Sequence, residues 1–193
     1  MRRDNMSKTT TARTNYDAAR AELLTRVRLR DQVLLIYLGF AGAIFGVSLA
    51  STGVTLSASN HEILLVLPFL SLGFSILVSQ HNAVIGAIIL FNTNEINAFL
   101  AKHDEGAPEF TSSLSFKGHS PRSNLLRLWG HTIILLVPCI VSLAVNICHV
   151  FKPQFPFWTA WWFALACTIG TVLVIFHVHK LRETVYEDII WHQ

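Results

Sequence analysis

From Val33 to Asn94 the chain carries one charged side chain, Glu62, and from Leu128 to His179 it carries one, Lys152. Apolar stretches this long exceed what the core of a domain this small can bury. They match helices of ~20 residues, the length needed to cross a hydrocarbon layer of ~30 Å. The composition agrees: 14% of the 193 residues are charged, against about 25% in soluble domains. The first ~30 residues are polar and lack the apolar centre of a cleavable signal.

The fold class read from this pattern is all-α: a polytopic membrane protein with four transmembrane helices and helical cytoplasmic extensions. The spans fall at about 33–53, 62–81, 131–150 and 157–178. Residues 1–13 read as a disordered N-terminus, and 14–193 as one domain. Thr14 or Asn15 would cap the first helix, with Asp17 in its first turn. Apolar stripes continue beyond the membrane in 14–32, 82–100, 121–130 and 179–193. Together they predict a cytoplasmic stalk, packed within one chain or between chains. Arg20, Arg26, Arg28 and Arg30 lie mostly off the first stripe. Ser120-Pro121 reads as a helix start, and Lys152–Pro156 as a tight outer loop. Trp158, Trp161 and Trp162 sit where an interfacial aromatic belt would.

Orientation follows from charge. Eight of the fifteen Lys and Arg precede Val33, the 51–61 loop has none, and the 101–130 connection has four. Lys and Arg accumulate on the cytoplasmic side, which places both termini and the middle connection there. A net charge of +3 concentrated in a flanking segment predicts no direct nucleic-acid binding.

Gly39, Gly42 and Gly46 line one side of the first span. Lipid supplies little hydrophobic force between helices, so close approach at small residues is what joins them. This face is a subunit contact, a pore lining, or packing inside one protomer, with Gly73 and Ser75 as a possible facing surface. Pro68 and Pro138 fall inside spans two and three and are gating hinges or static kinks. Gln80, His81, His131, His177 and His179 lie at one depth near the inner surface. They form either a titrating or ligand-binding collar or simply polar helix ends. Asn146 and His149 lie near the outer interface, close enough to be solvated. No charged group occupies a span centre, and no midplane polar site of the kind a transporter needs is visible.

Catalytic signatures are absent: no G-x-S-x-G, H-E-x-x-H or P-loop occurs. Cys139, Cys148 and Cys167 fall in apolar segments without C-x-x-C spacing and read as small buried hydrophobes. The expectation is therefore no enzyme, no catalytic, cofactor-binding or metal site, and no cofactor.

A basic helix, Tyr16–Gln32, leads straight into Val33–Ala50. With the small size, the even number of spans and the stalk extensions, this resembles small bacterial membrane subunits of antiphage defence systems. It is similar to the four-span membrane protein of the Kiwa type and, more loosely, to SLATT-like effectors. The resemblance implies a homo-oligomer in the inner membrane that senses or carries out a response, with a cytoplasmic protein partner docked on the stalk. The function expected is thus a non-enzymatic membrane assembly subunit, channel-forming or partner-anchoring. The alternatives are a small-solute transporter or transport accessory, and a membrane-bound enzyme of lipid or quinone chemistry.

Overall fold

The computed structural model describes residues 2–50, 61–103, 114–151 and 156–191, with side chains placed for 8–49, 61–96, 99, 100, 102, 125–148, 150, 151 and 156–180. Every described element is helical: α1 (Arg2–Ala50), a 3-10 turn (His61–Leu65) leading into α2 (Val66–Leu90), a π segment (Phe91–Asn97), α3 (Ala98–His103), α4 (Leu114–Val145), α5 (Cys148–Phe151) and α6 (Phe157–Trp191). Four of these stretches are long and apolar enough to cross a membrane: 8–49, 61–96, 125–145 and 157–180.

α2 is the axis of the arrangement. It packs along α1 on one side and along α6 and α4 on the other, while α1 barely meets α4. The stripe that α1 turns inward is Arg30, Leu34, Tyr37, Ala41 and Ser48. Its steps of three, four and seven keep it on one side of a 3.6-residue helix. Leu34, Tyr37 and Ala41 pack with Leu64, Leu67, Val78 and Leu135 in the central core. A second cluster, Leu65, Leu143, Trp161 and Ala164, closes the end of the bundle away from the basic N-terminal segment.

The distribution of polarity is inverted relative to a soluble bundle. Buried positions include Ser48, Ser71, Ser75, Asn82, Ser142, Asn146 and Thr171, whereas Leu35, Phe40, Leu49, Phe163, Leu173 and Phe176 are more than half exposed. Water does not tolerate apolar surface on this scale. It suits helices held together by small polar residues and surrounded by hydrocarbon.

Several boundaries differ from those read in the sequence. α1 begins at Arg2 rather than near residue 14. Thr14 does not cap it: its hydroxyl donates to the Thr10 carbonyl at 3.1 Å, a back-bond that lets the helix pass through. Residues 2–13 are thus an extension of a helix already nucleated downstream, which costs less than starting one. At 49 residues, α1 is roughly 73 Å long. Arg30 belongs to the buried stripe rather than lying off it. α4 starts at Leu114, before Ser120-Pro121, and ends at Val145, within the expected 131–150 span; among the described residues its apolar stretch is 125–145. A turn at Asn146–Ile147 then separates it from α5.

Of the expected stalk, the α1 extension packs against the π segment and α3 within the same chain. The π turn falls on Asn92, Thr93, Asn94 and Asn97, weak helix formers, where the Thr93 hydroxyl returns to the Ile89 carbonyl at 2.9 Å. The side chains of 114–124 and 181–191, and the loops 51–60, 104–113 and 152–155, lie outside the described residues, as does the side chain of His149.

Candidate functional site

The densest hydrogen bonding between helices surrounds the two prolines inside the apolar stretches. Proline has no N–H to return to the carbonyl four residues back, so each leaves a backbone acceptor needing another partner. Pro138 lies in the last third of α4 and leaves the Ile134 carbonyl without its helical donor; the next carbonyl, that of Leu135, collects side-chain protons. The Ser71 hydroxyl donates to it at 3.0 Å and the Tyr37 hydroxyl reaches it at 3.4 Å. Tyr37 and Ser71 are 2.6 Å apart. With the Ser71 proton on Leu135, Tyr37 donates to Ser71. The Cys139 thiol closes the group, 2.9 Å from Ser71 Oγ and 3.1 Å from the Leu135 carbonyl. Leu135 is the central residue of the 125–145 span. An uncharged polar lattice therefore occupies the middle of the bundle, where the sequence shows no midplane site.

Pro68 is not a mid-helix break. It stands in the first turn of α2, just after the 3-10 turn, a position where proline is tolerated. The Leu64 carbonyl that it cannot reach accepts from the Ser142 hydroxyl at 2.5 Å. The same end carries three more ties. Asn146 Nδ2 donates to the His61 carbonyl at 2.9 Å and the Ser142 carbonyl at 3.0 Å. Ser48 Oγ and His61 Nδ1 are 3.2 Å apart. The Trp161 indole N–H donates to the Leu143 carbonyl at 3.1 Å. That carbonyl is spare because the Ile147 N–H, its regular helical donor, bonds Ala144 instead. Asn146 is thus buried rather than solvated, and Trp161 is an internal clasp. Trp158 and Trp162 face outward.

At the opposite end the buried Arg30 guanidinium donates to Asp31 Oδ1 at 2.8 and 3.0 Å and to Asn82 Oδ1 at 3.4 Å. A buried guanidinium needs such partners. Asn82 holds α1 and α2 together there.

No family model matches the chain, and neither do curated proteins or solved structures. The site must therefore be read from its own chemistry. The lattice is neutral and its protons are accounted for. Among the described hydrogen bonds, Ser71 and Cys139 meet each other, Tyr37 and the Leu135 carbonyl. What the lattice does is join α1, α2 and α4 at mid-depth.

The other residues singled out by sequence differ in burial. His81 and His179 are half-buried, His131 likewise, and Gln80 and His177 are exposed. Among the described residues no three His, Cys, Asp or Glu gather closely enough to hold a metal ion. Cys148 is exposed and Cys167 partly so, leaving Cys139 as the buried thiol. Gly39, Gly42 and Gly46 have open space where a Cβ would project, as does Gly73. At 100° per residue the first three lie roughly 140–200° round α1 from Tyr37, opposite the packed stripe. Ser75 by contrast is buried, so Gly73 and Ser75 form no common face. Among the described glycines, only Gly170 is filled by a neighbour: a Cβ there would come 3.1 Å from Leu72 Cδ1. The close approach inside the protomer is α6 on α2, and no glycine repeat marks it in the sequence because Gly170 stands alone in its span.

Proposed function

We propose that this chain is a non-enzymatic integral membrane subunit that assembles with further copies of itself through the outer face of α1. The observation that carries the reading is the direction of the small residues. Gly39, Gly42 and Gly46 are turned away from the protomer's own packing and leave room for a close backbone approach. In hydrocarbon such a groove gains its energy from van der Waals contact with another helix. The inverted polarity of the bundle supports lipid as its solvent. The basic N-terminal segment supports a cytoplasmic location for both ends and for the extension formed by α1, the π segment and α3, which offers a docking surface for a cytoplasmic protein. The resemblance to antiphage membrane subunits would make the assembly a sensor or effector of a bacterial defence system, coupling that partner to the membrane.

The test is the mass of the complex extracted into native copolymer discs, with identification of whatever co-purifies. A homo-oligomer is expected. Replacing Gly42 and Gly46 together with leucine should weaken self-association at least ~tenfold while leaving the protomer's thermal midpoint in place. Gly170→Leu should do the reverse, costing the protomer ~1–3 kcal/mol by overpacking against Leu72. A wild-type chain that runs as a lone monomer without a partner would overturn the reading.

A further inference from the structure

A groove of about 490 Å³ opens between α2 and α6, lined by Ile76, Ser79, Leu173, Val174, His177 and Val178. Its volume falls within the about 300–1,000 Å³ typical of small-ligand sites. Its lining is graded. Both helices run toward the basic end of the bundle, and along each a polar residue follows aliphatic ones: Ile76 then Ser79, and Leu173 and Val174 then His177, with Val178 flanking the polar end. Lys180 is exposed one turn beyond His177 on the same side of α6. Among the described residues no acidic side chain lines the groove.

We propose that this groove is a binding site for one anionic phospholipid. This rests on the reading of the four helices as membrane spans. An acyl chain lies along Ile76, Leu173 and Val174, and the phosphate meets the Ser79 hydroxyl, the His177 ring and the Lys180 ammonium. Order along the groove decides for a lipid: apolar toward the middle of the bundle and polar, then cationic, toward its end, as in a phospholipid of that leaflet. Basic pockets between spanning helices at a membrane surface recognise anionic head groups, and a lysine at that depth extends its ammonium into the head-group layer. A second copy of the chain has its close-approach face elsewhere, on the outer side of α1.

The experiment reconstitutes the full chain in nanodiscs of phosphatidylcholine with or without phosphatidylglycerol, strips bulk lipid with detergent, and counts retained phospholipid by native mass spectrometry. One phosphatidylglycerol per protomer is expected, retained in preference to phosphatidylcholine. Lys180→Gln should weaken retention about fivefold. Leu173→Trp fills the groove from an exposed position, so it should abolish retention without moving the midpoint measured in detergent alone. Equal retention of both lipids, or wild-type retention by both variants, overturns the proposal. So does a chain-to-chain rather than chain-to-lipid adduct from a photo-crosslinking residue at position 173. Release of the chain from its native membranes by carbonate would instead remove the spanning reading itself, and this proposal with it. Integral behaviour without head-group selectivity removes the proposal alone.

Discussion

Tyr37→Ala is expected to destabilise the protomer by ~3–5 kcal/mol, the range for deleting a buried aromatic ring. Tyr37 is fully buried where α1, α2 and α4 meet. Its ring packs against Phe74 at a centroid separation of 5.4 Å, and its hydroxyl joins Ser71. The two contributions separate in Tyr37→Phe, which keeps the ring and removes the hydroxyl. Ser71 retains its bond to the Leu135 carbonyl, so this change should cost about 1 kcal/mol, in keeping with interhelical hydrogen bonds in membranes. Unfolding in micelles against an increasing denaturant fraction measures both. If Tyr37→Phe is as damaging as Tyr37→Ala, the hydroxyl rather than the packed ring dominates, and the account of the central core fails.

Ser142→Ala should cost ~1–2 kcal/mol, because it leaves the Leu64 carbonyl without its side-chain donor beside a proline that cannot replace it. The cause can be isolated by a double-mutant cycle. In a Pro68→Ala background the backbone at 68 regains an N–H within reach of the Leu64 carbonyl. There the cost of Ser142→Ala should shrink to a few tenths of a kcal/mol, and the difference is the coupling between the two positions. Equal costs in both backgrounds would mean that Ser142 stabilises through packing and not through the carbonyl that Pro68 leaves open.

These two sites show what the sequence did and did not make legible. The spans were readable because charged residues are so scarce: one between Val33 and Asn94 and one between Leu128 and His179. The inward side of each span was not, since a helix apolar on all sides gives no hydrophobic direction. The direction lay in the small polar residues instead. Ser71, Ser75 and Asn82 on α2, Cys139 and Ser142 on α4 with Asn146 just beyond it, and Thr168 and Thr171 on α6 recur at helical spacing. All but Cys139 and Thr168 are among the buried polar positions, and Cys139 is itself buried. Each alone resembles a tolerated hydroxyl, amide or thiol in an apolar run; only their shared face identifies the interior. Arg30 departs from the sequence expectation for the opposite reason. A charge suggested the solvent side, although position 30 continues the 34–37–41 stripe and is neutralised by Asp31 beside Asn82. Gly39, Gly42 and Gly46 were legible as a close-packing face, but not as one turned away from the protomer, because spacing carries no information about which neighbour a face meets.

The glycine face, the lipid groove and the buried lattice all presuppose that the four apolar helices cross the bilayer. Accessibility of single tags in intact cells tests this most directly, using a reagent that does not cross the membrane. Tags in 51–60 and 152–155 should be labelled from outside, whereas tags at both termini and in 104–113 should be labelled only after permeabilisation. Labelling at the termini of intact cells together with protection of 51–60 and 152–155 would reverse the orientation. Uniform protection with release of the protein by carbonate would contradict the spanning architecture outright.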